Sequence, residues 1–288
     1  MTARGRLRPL APRTCAALVA LCSLLPAASE RYRAQIEQWR RQREAALRAD
    51  GGWLTVTGLF WLHEGANSFG SASSNEIVLP VEPALRGGGT FVLHGGKVTL
   101  RLDGQTRELR PDSAAAADMV RLGSLTMFVI RRGDRYGIRL KDANSSFRRD
   151  FKGLRYFPVD QAYRLQARFV PDAKQIPIPN VLGQTEDMPS PGYVEFVLRG
   201  RKLRLTPVEE SPDSLFFIFR DLTSGSQTYG SGRFLDTDLP RNGAVVLDFN
   251  KAYNPPCAFT PYATCPLPPK QNRLPVPIEA GELTYGPH

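Results

Sequence analysis

Acidic side chains that could act in catalysis lie in the C-terminal third of the chain, at Asp221, Asp248 and Glu282. Two carboxylates that face one substrate can serve as general acid and general base, which suits a glycosidase-like hydrolysis. Asp248 and Asn250 are two residues apart at the expected end of a strand, so they share a face on which Asp248 can bind a hard cation. Because the sequence gives no separation in space, the catalytic residues are left unassigned, and no metal or cofactor is predicted.

Other side chains in the same region suit the binding of a ligand. Arg233 carries a planar guanidinium that fits a carboxylate, phosphate or sulfate and can steady developing negative charge. The neighbouring Gly230 and Gly232 allow a close approach of the backbone. We predict a binding site for a small polar or anionic ligand, formed by Tyr229, Arg233, Asn250, Tyr253, Asn254, Asn272 and Arg273.

Each of these side chains also has a structural interpretation. Ion pairs such as Arg233–Asp248 or Arg273–Glu282 can anchor a loop. Asparagine commonly hydrogen bonds the backbone of turns, and tyrosine commonly packs in cores. For any single residue the structural role is the commoner one, because folds hold many polar groups that perform no chemistry.

The segment that carries most of these residues runs from Ala244 to Gly281. It opens as a buried strand and then contains eight prolines between Pro255 and Pro277. Proline excludes both a helix and a central strand, while the apolar residues between the prolines are untypical of a solvated linker. We therefore predict an ordered, proline-stiffened loop over a β core, and long ordered loops are often functional.

Residues 1–29 have the pattern of an export signal. Four arginines precede an apolar run from Cys15 to Leu25, and small residues at 27–29 suit a signal peptidase. The run is short for a membrane span. We predict an exported protein, periplasmic or secreted, with no integral membrane segment after signal removal. Leu21 before Cys22 disfavours a lipoprotein, and an uncleaved signal anchor is the alternative.

Loss of that segment would leave two cysteines, Cys257 and Cys265. A pair of cysteines in an oxidising compartment predicts a disulfide, which would stabilise the fold by about 2–3 kcal/mol. A metal site and a catalytic thiol are the weaker interpretations, because no histidine lies nearby in the sequence.

The charge of the chain also limits the class of partner. Without residues 1–29, which hold four arginines and no acid, the formal net charge falls from +10 to +6. The remaining charge is spread along the chain, whereas proteins that bind nucleic acid cluster it on one face. We therefore predict no nucleic-acid partner, and the oligomeric state is left open.

The elements that must position these residues are mostly strands. Residues 30–52 are predicted to form an amphipathic helix ending at Gly51-Gly52, which packs on the protein's own sheet. Arg43 interrupts its apolar stripe, which comprises Tyr32, Ile36, Trp39, Ala46 and Leu47.

Residues 53–142 and 143–288 are each predicted to be a β subregion, or else one continuous domain at 53–288. Short apolar runs separated by turn signals are typical of strands, and the turn residues of 177–191 predict a loop there. The predicted fold is mostly β, a sandwich or barrel-like core with an N-terminal amphipathic helix and a long proline-rich C-terminal loop.

The run Gly65-Ala66-Asn67-Ser68-Phe69-Gly70 and the following 75–80 resemble the opening of a forkhead-associated domain, a phosphopeptide-binding β-sandwich. That family has an arginine after the second glycine, where this chain has Ser71. Its later Ser-Arg-x-His motif is replaced here by Gly-Thr-Phe-Val at 89–92. The resemblance implies a sandwich and argues against phosphothreonine binding.

A second resemblance covers most of the chain beyond residue 29. The chain resembles a bacterial family known as domain of unknown function 1684 in the motifs at 58–62, 229–230, 232–235, 248–255 and 265–269, with Asn67, Gly70, Asn272 and 280–282. The resemblance implies a mostly β protein and brings no activity, cofactor or catalytic residue.

Three functions are compatible with these patterns. The first is binding of a small polar or anionic ligand in a pocket covered by the C-terminal loop. The second is a carboxylate-dependent hydrolase that uses the same pocket, and the third is an envelope scaffold. Exposed donors beside carboxylates that are already paired would favour binding, whereas a carboxyl group with a raised pKa in the pocket would favour hydrolysis.

Overall fold

The computed structural model of the protein describes residues 16–80, 88–114 and 116–286. A long helix, α1, spans Ala16–Arg48, and a one-turn helix, α2, spans Ser146–Arg149. α1 contains most of the helix predicted at 30–52 but begins earlier, within the predicted signal segment. Residues 1–15 of that segment lie outside the described ranges. None of the helices in those ranges has the length and apolarity that a bilayer crossing requires.

The described ranges contain sixteen strands, and nine of them precede residue 143. These nine are β1 (Val56–Trp61), β2 (Gly65–Gly70), β3 (Ile77–Val78), β4 (Gly89–His94), β5 (Lys97–Leu102), β6 (Gln105–Leu109), β7 (Val120–Leu122), β8 (Leu125–Arg132) and β9 (Arg135–Asp142). The other seven are β10 (Arg164–Pro179), β11 (Thr185–Leu198), β12 (Arg201–Leu205), β13 (Val208–Ser211), β14 (Ser214–Phe219), β15 (Arg233–Asp238) and β16 (Ala244–Asp248).

The first nine strands build two sheets around one core. One sheet has the order β1-β9-β8-β7 and the other β3-β2-β4-β5-β6. Successive side chains of a strand point to opposite faces, so Ile138 and Leu140 of β9 reach the core that Phe91 and Leu100 fill from the other sheet. Arg139 and Lys141 therefore point away from that core.

The remaining strands build a second pair of sheets, with the orders β12-β11-β10-β16 and β13-β14-β15. Phe196 and Leu247 from the first sheet meet Phe217 and Leu235 from the second in one core. All these sheets are open, so the architecture is sandwich-like rather than a closed barrel. The predicted mostly β fold is confirmed.

The prediction of a loop over 177–191 is wrong for most of that range, which forms paired strands. β10 and β11 form one long hairpin, and Ile176 pairs with Met188 while Pro179 pairs with Thr185 at its tip. This part of the hairpin has no third strand, since the other partner of β10 covers only residues 164–168. Proline is tolerated at such an edge, where its missing N–H faces no neighbouring strand.

Residues 249–286, here called the C-terminal segment, cover the second pair of sheets. They contain short 3₁₀ turns, such as Pro256–Ala258 and Lys270–Asn272, and no strand. Leu274, Val276 and Ile278 are buried in the same core as the strands beneath them. The predicted ordered, proline-rich loop over a β core is therefore confirmed.

α1 packs on the C-terminal segment and on the connection between the two halves. Ile36 and Leu47 of the predicted stripe are buried and Tyr32 and Trp39 are half-buried, whereas Ala46 is exposed. Glu44 accepts the N–H of Leu154, and Arg40 donates to the carbonyl of Phe157. The helix is thus part of the folded body, and it brings Arg43 into the interior.

Candidate functional site

Arg233, the centre of the predicted site, is completely buried at the start of β15. Its Nη2 donates to Asp221 Oδ2 at 2.8 Å and to the carbonyl of Ile278 at 2.8 Å, and its Nη1 donates to the carbonyl of Ala280. Asp221 also accepts the N–H of Ile278. This pair joins β15 to the C-terminal segment and faces no solvent.

The glycines that flank these residues serve the same packing. Gly232 has a φ of +103°, and a Cβ there would lie 2.6 Å from the carbonyl oxygen of Phe219 and from Pro268. Gly281 has a φ of +80°, and a Cβ there would lie 2.4 Å from the carbonyl oxygen of Ala252. The close backbone approach expected of Gly232 is therefore made to the protein's own chain.

Glu282 is also completely buried, and its partner is Arg43 of α1 rather than Arg273. Arg43 Nε lies 3.1 Å from Glu282 Oε1, while Arg43 Nη2 donates to the carbonyl of Asn254 at 3.0 Å. The N–H of Asn254 donates to Glu282 Oε2 at 2.7 Å. Burial raises the pKa of Glu282, and Arg43 opposes the shift.

The predicted asparagines hold backbone groups. Asn272 accepts the N–H of Thr206 and donates to the carbonyls of Thr206 and Ile218. Asn254 donates to the carbonyl of Leu283 at 2.8 Å. Arg273, the last of the predicted ligand residues, is exposed on the surface. The structure does not bring Asn272 and Arg273 into a common cavity with Arg233.

Asp248 and Asn250 form a separate cluster with Tyr32 of α1. The hydroxyl of Tyr32 donates to Asp248 Oδ1 at 2.8 Å and accepts from Asn250 Nδ2 at 2.9 Å. Asn250 also bonds both backbone groups of Asp160. Burial raises the pKa of Tyr32, and the bond to Asp248 adds to the shift. Within the described residues, no group of three or more potential ligands has the spacing of a metal site.

The hydroxyl groups of the two predicted tyrosines hydrogen bond to other residues of the fold. Tyr229 is half-buried, and its hydroxyl donates to the carbonyl of Cys257 at 3.1 Å. Tyr253 donates to Asp236 at 2.7 Å, and its ring packs edge-on against Phe234. Tyr253 also lines a cavity of about 500 Å³ between the two halves of the molecule.

That cavity, here called the cationic cavity, is walled by both pairs of sheets, α1 and the C-terminal segment. Its lining comprises Arg43, Gly51, Trp53, Asp112, Phe128, Arg132, Arg139, Lys141, Phe216, Phe234, Tyr253, Pro256, Thr264, Cys265 and Pro266. Four of these side chains are cationic and one is a carboxylate. The volume lies in the range of pockets that hold small organic ligands.

Two of the four cations have internal carboxylate partners. Arg43 pairs with Glu282, and Arg132 Nη2 lies 2.9 Å from Asp112. Arg132 Nε also donates to the hydroxyl of Thr264 at 2.9 Å. These contacts fix the walls of the cationic cavity and neutralise half of its positive charge.

The other two cations, Arg139 and Lys141, have no carboxylate partner within 4.0 Å in the described ranges. Arg139 Nη2 donates weakly to the Tyr262 carbonyl and the Thr264 hydroxyl, and its buried Nε has no hydrogen-bond partner there. Lys141 donates to the carbonyl of Gly51. Burial lowers the pKa of Arg139 to about 10, with a further contribution from Arg132. Burial lowers the pKa of Lys141 as well.

Aromatic rings flank these two cations. The guanidinium carbon of Arg139 lies 5.3 Å from the centre of the Trp53 ring, and Lys141 Nζ lies 5.3 Å from the centre of the Phe128 ring. Such contacts orient a cation without neutralising it. The cationic cavity therefore offers positive charge next to flat apolar surface.

Sequence reasoning missed these residues, although β9 carries a signal. β9 lies between β1 and β8 in an antiparallel sheet, where alternation of apolar and polar residues indicates one buried and one polar face. Arg139 and Lys141 interrupt it at alternate positions and so share the face opposite Ile138 and Leu140. Two cations at alternate positions of a central strand predict that the face they share is polar.

The predicted disulfide is not formed in the structure, where Cys257 and Cys265 are both thiols. They are neighbours nonetheless. The N–H of Cys257 donates to Cys265 Sγ at 3.2 Å, and the two side chains hydrogen bond to each other. Hydrogen-bonded thiols take the place of the covalent bond.

Comparison with known proteins places the chain in a family without a described activity. Residues 149–283 match the family model described as "Protein of unknown function (DUF1684)". No curated protein matches the chain. The solution NMR structure of the uncharacterized protein from gene locus rrnAC0354 of Haloarcula marismortui is similar in sequence, with 33% identity. The match covers 48% of this chain and 79% of that one, with a TM-score of 0.40.

Proposed function

We propose that this chain, which belongs to the DUF1684 family of proteins of unknown function, binds a small organic anion in the cationic cavity. The ligand would carry a carboxylate, phosphate or sulfate group attached to a flat or apolar body. The anionic group would lie against Arg139 and Lys141, and the body would lie against Trp53 and Tyr253.

The observation that carries the proposal is the unbalanced charge of the cationic cavity. Burial of a cation destabilises the folded state by several kcal/mol unless an anion pairs with it. Arg139 is only 3% exposed, and burial has already lowered its pKa. A bound anion would supply the partner that the described residues do not provide.

The carboxylates give less support to the hydrolase alternative. Each candidate carboxylate already accepts hydrogen bonds within the fold. Asp221 accepts from Arg233, and Glu282 accepts from Arg43. Asp248 accepts from Tyr32 and Asn250. A general acid or base must reach the substrate, yet Asp221 and Glu282 have completely buried side chains. Donors that face a cavity beside paired carboxylates favour binding over hydrolysis.

The envelope-scaffold alternative would use α1, whose residues Ile36 and Leu47 are occupied by the protein's own core. An export signal at 1–29 and a periplasmic or secreted location also belong to the proposal. Analysis of the N-terminus of the protein recovered from its source would test the signal, since cleavage predicts a chain that begins at residue 30.

Calorimetry can test the proposal with phosphate, sulfate, benzoate and phenyl phosphate as probes at fixed ionic strength. We expect at least one probe to bind, and Arg139→Met to weaken its binding by about tenfold to a hundredfold, because charge-assisted bonds contribute roughly 1.5–3 kcal/mol. Arg273→Met is the matched control, since Arg273 is exposed and was the alternative suggested by the sequence.

Two kinds of outcome would contradict the proposal. One is that none of the four probes binds to a protein that melts cooperatively. The other is that a probe binds with equal affinity to the wild type and to Arg139→Met, or that Arg273→Met alone removes binding. The last result would move the site to the surface of the C-terminal segment.

A further inference from the structure

Two thiols lie next to the cationic cavity and are not used in the proposed binding of an anion. Cys265 lines the cavity and is 4% exposed, whereas Cys257 is half-buried. The N–H of Cys257 lies 3.2 Å from Cys265 Sγ, and the side chains hydrogen bond to each other. Seven residues lie between them along the chain, so the C-terminal segment has folded back to bring them together.

The surroundings of the two thiols differ. Cys257 receives a hydrogen bond from the Cys265 thiol and interacts with Tyr229, whose hydroxyl also donates to the Cys257 carbonyl. Hydrogen bonds to the Cys257 side chain from Cys265 and from Tyr229 lower the pKa of the Cys257 thiol, against the effect of burial. The pKa of Cys265 is raised by its bond to Cys257 and by burial, and Arg139 opposes that shift. Within the pair, the surroundings therefore favour loss of the proton from Cys257 over loss from Cys265.

We infer that Cys257 and Cys265 form a redox-active dithiol that a small disulfide can oxidise reversibly. The thiolate of Cys257 attacks one sulfur of the external disulfide RSSR, forms a mixed disulfide and releases RS⁻, which takes up the Cys257 proton as RSH. Cys265 then loses its proton and attacks Cys257 Sγ, which releases the second RSH. Two electrons and two protons pass from the protein to RSSR, and an intramolecular disulfide remains.

This inference is independent of the anion, because it needs no occupant of the cationic cavity. It also differs from the disulfide expected from the sequence. A structural disulfide resists reduction by glutathione, whereas a redox-active pair exchanges with it. The roles of the two cysteines differ as well, and the more exposed Cys257 is the one that meets the oxidant.

Single substitutions in the full chain, treated with oxidised glutathione, test these roles. We expect the reduced wild type to lose both titratable thiols and two hydrogens in mass, and reduced glutathione to restore them. Cys265→Ser should accumulate one glutathione on Cys257, because the resolving thiol is missing. Cys257→Ser should react at least tenfold more slowly than Cys265→Ser.

A measurement on the wild type guards against variants that fail to fold. Brief alkylation of the reduced native protein, followed by peptide mass mapping, should modify Cys257 at least tenfold faster than Cys265. Equal rates, faster modification of Cys265, or a disulfide that excess reduced glutathione leaves intact would overturn the inference. The last result would identify the bond as a purely structural one.

Discussion

Two buried arginines in the same molecule have opposite surroundings. Arg233 on β15 pairs with Asp221 at 2.8 Å and with two carbonyls of the C-terminal segment. Arg139 on β9 has weak contacts to Thr264 and to a carbonyl, and no carboxylate within 4.0 Å in the described ranges. The Nε of each arginine lacks a partner there, so the difference between them is the carboxylate.

Residue type alone does not distinguish a ligand-binding site from residues that only stabilise the fold. Arg233, Asp221 and Glu282 have the residue types of a catalytic centre, but the chain neutralises each of them internally. Arg139 and Lys141 lie in no motif that the sequence marked as functional. They nevertheless line a cavity of about 500 Å³ and have no carboxylate within 4.0 Å among the described residues. The balance of charge, rather than residue type, indicates where a ligand can bind.

The largest effect should follow from Arg233→Met. The substitution leaves the carboxylate of Asp221 buried without its cation, and breaking a buried pair in this way costs about 3–5 kcal/mol. We expect the free energy of unfolding in urea to fall by that amount. Arg273→Met, at an exposed position, should change it by less than about 0.5 kcal/mol. Equal losses in both variants would remove the distinction between the two regions.

A smaller, pH-dependent effect should arise at Glu282, whose pKa is raised by burial. Above pH 4.5, its ordinary pKa, the folded protein binds more protons at this group than the unfolded chain. The stability from protonated Glu282 is therefore complete below that pH and is lost as the pH rises through the folded pKa. Glu282→Gln cannot ionise and should lack this dependence.

The measurement is urea unfolding of both proteins between pH 4 and pH 7. The free energy of unfolding of the wild type, minus that of Glu282→Gln, should decrease as the pH rises. Other titrating groups contribute equally to both proteins and cancel in the difference. A difference that increases with pH would show that Arg43 outweighs burial and lowers the pKa of Glu282.

Much of the fold could be predicted because it depends on local patterns. Short apolar runs separated by turn signals indicated a mostly β core, and the eight prolines from Pro255 to Pro277 indicated the irregular segment. The long hairpin of β10 and β11 was missed, because its tip has the same turn residues as a loop and is ordered only by cross-strand pairing. Pairing over a distance leaves little trace in a single sequence.

The candidate site was harder to predict because its contacts join residues that are far apart in the sequence. Glu282 is paired with Arg43 across 239 residues of chain, and Asp248 bonds Tyr32 across 216. The helix that supplies both partners was predicted, and Arg43 was recognised as an interruption of its stripe, but its partner was not. The cationic cavity brings together residues from both halves, and only Tyr253 among them was a predicted ligand residue.

The smallest effect on stability should follow from Arg139→Met, the same substitution as at Arg233. Removal of Arg139 leaves no carboxylate without its cation, since none lies within 4.0 Å of Arg139 in the described ranges. It also removes a buried charge whose pKa of about 10 shows that the folded state disfavours it. The loss of long bonds to Thr264 and the Tyr262 carbonyl opposes that gain, so the free energy of unfolding should change by about 1 kcal/mol or less. A loss of about 3–5 kcal/mol, as expected at Arg233, would instead show that Arg139 fastens the two halves together, and the cationic cavity would then be a by-product of their packing.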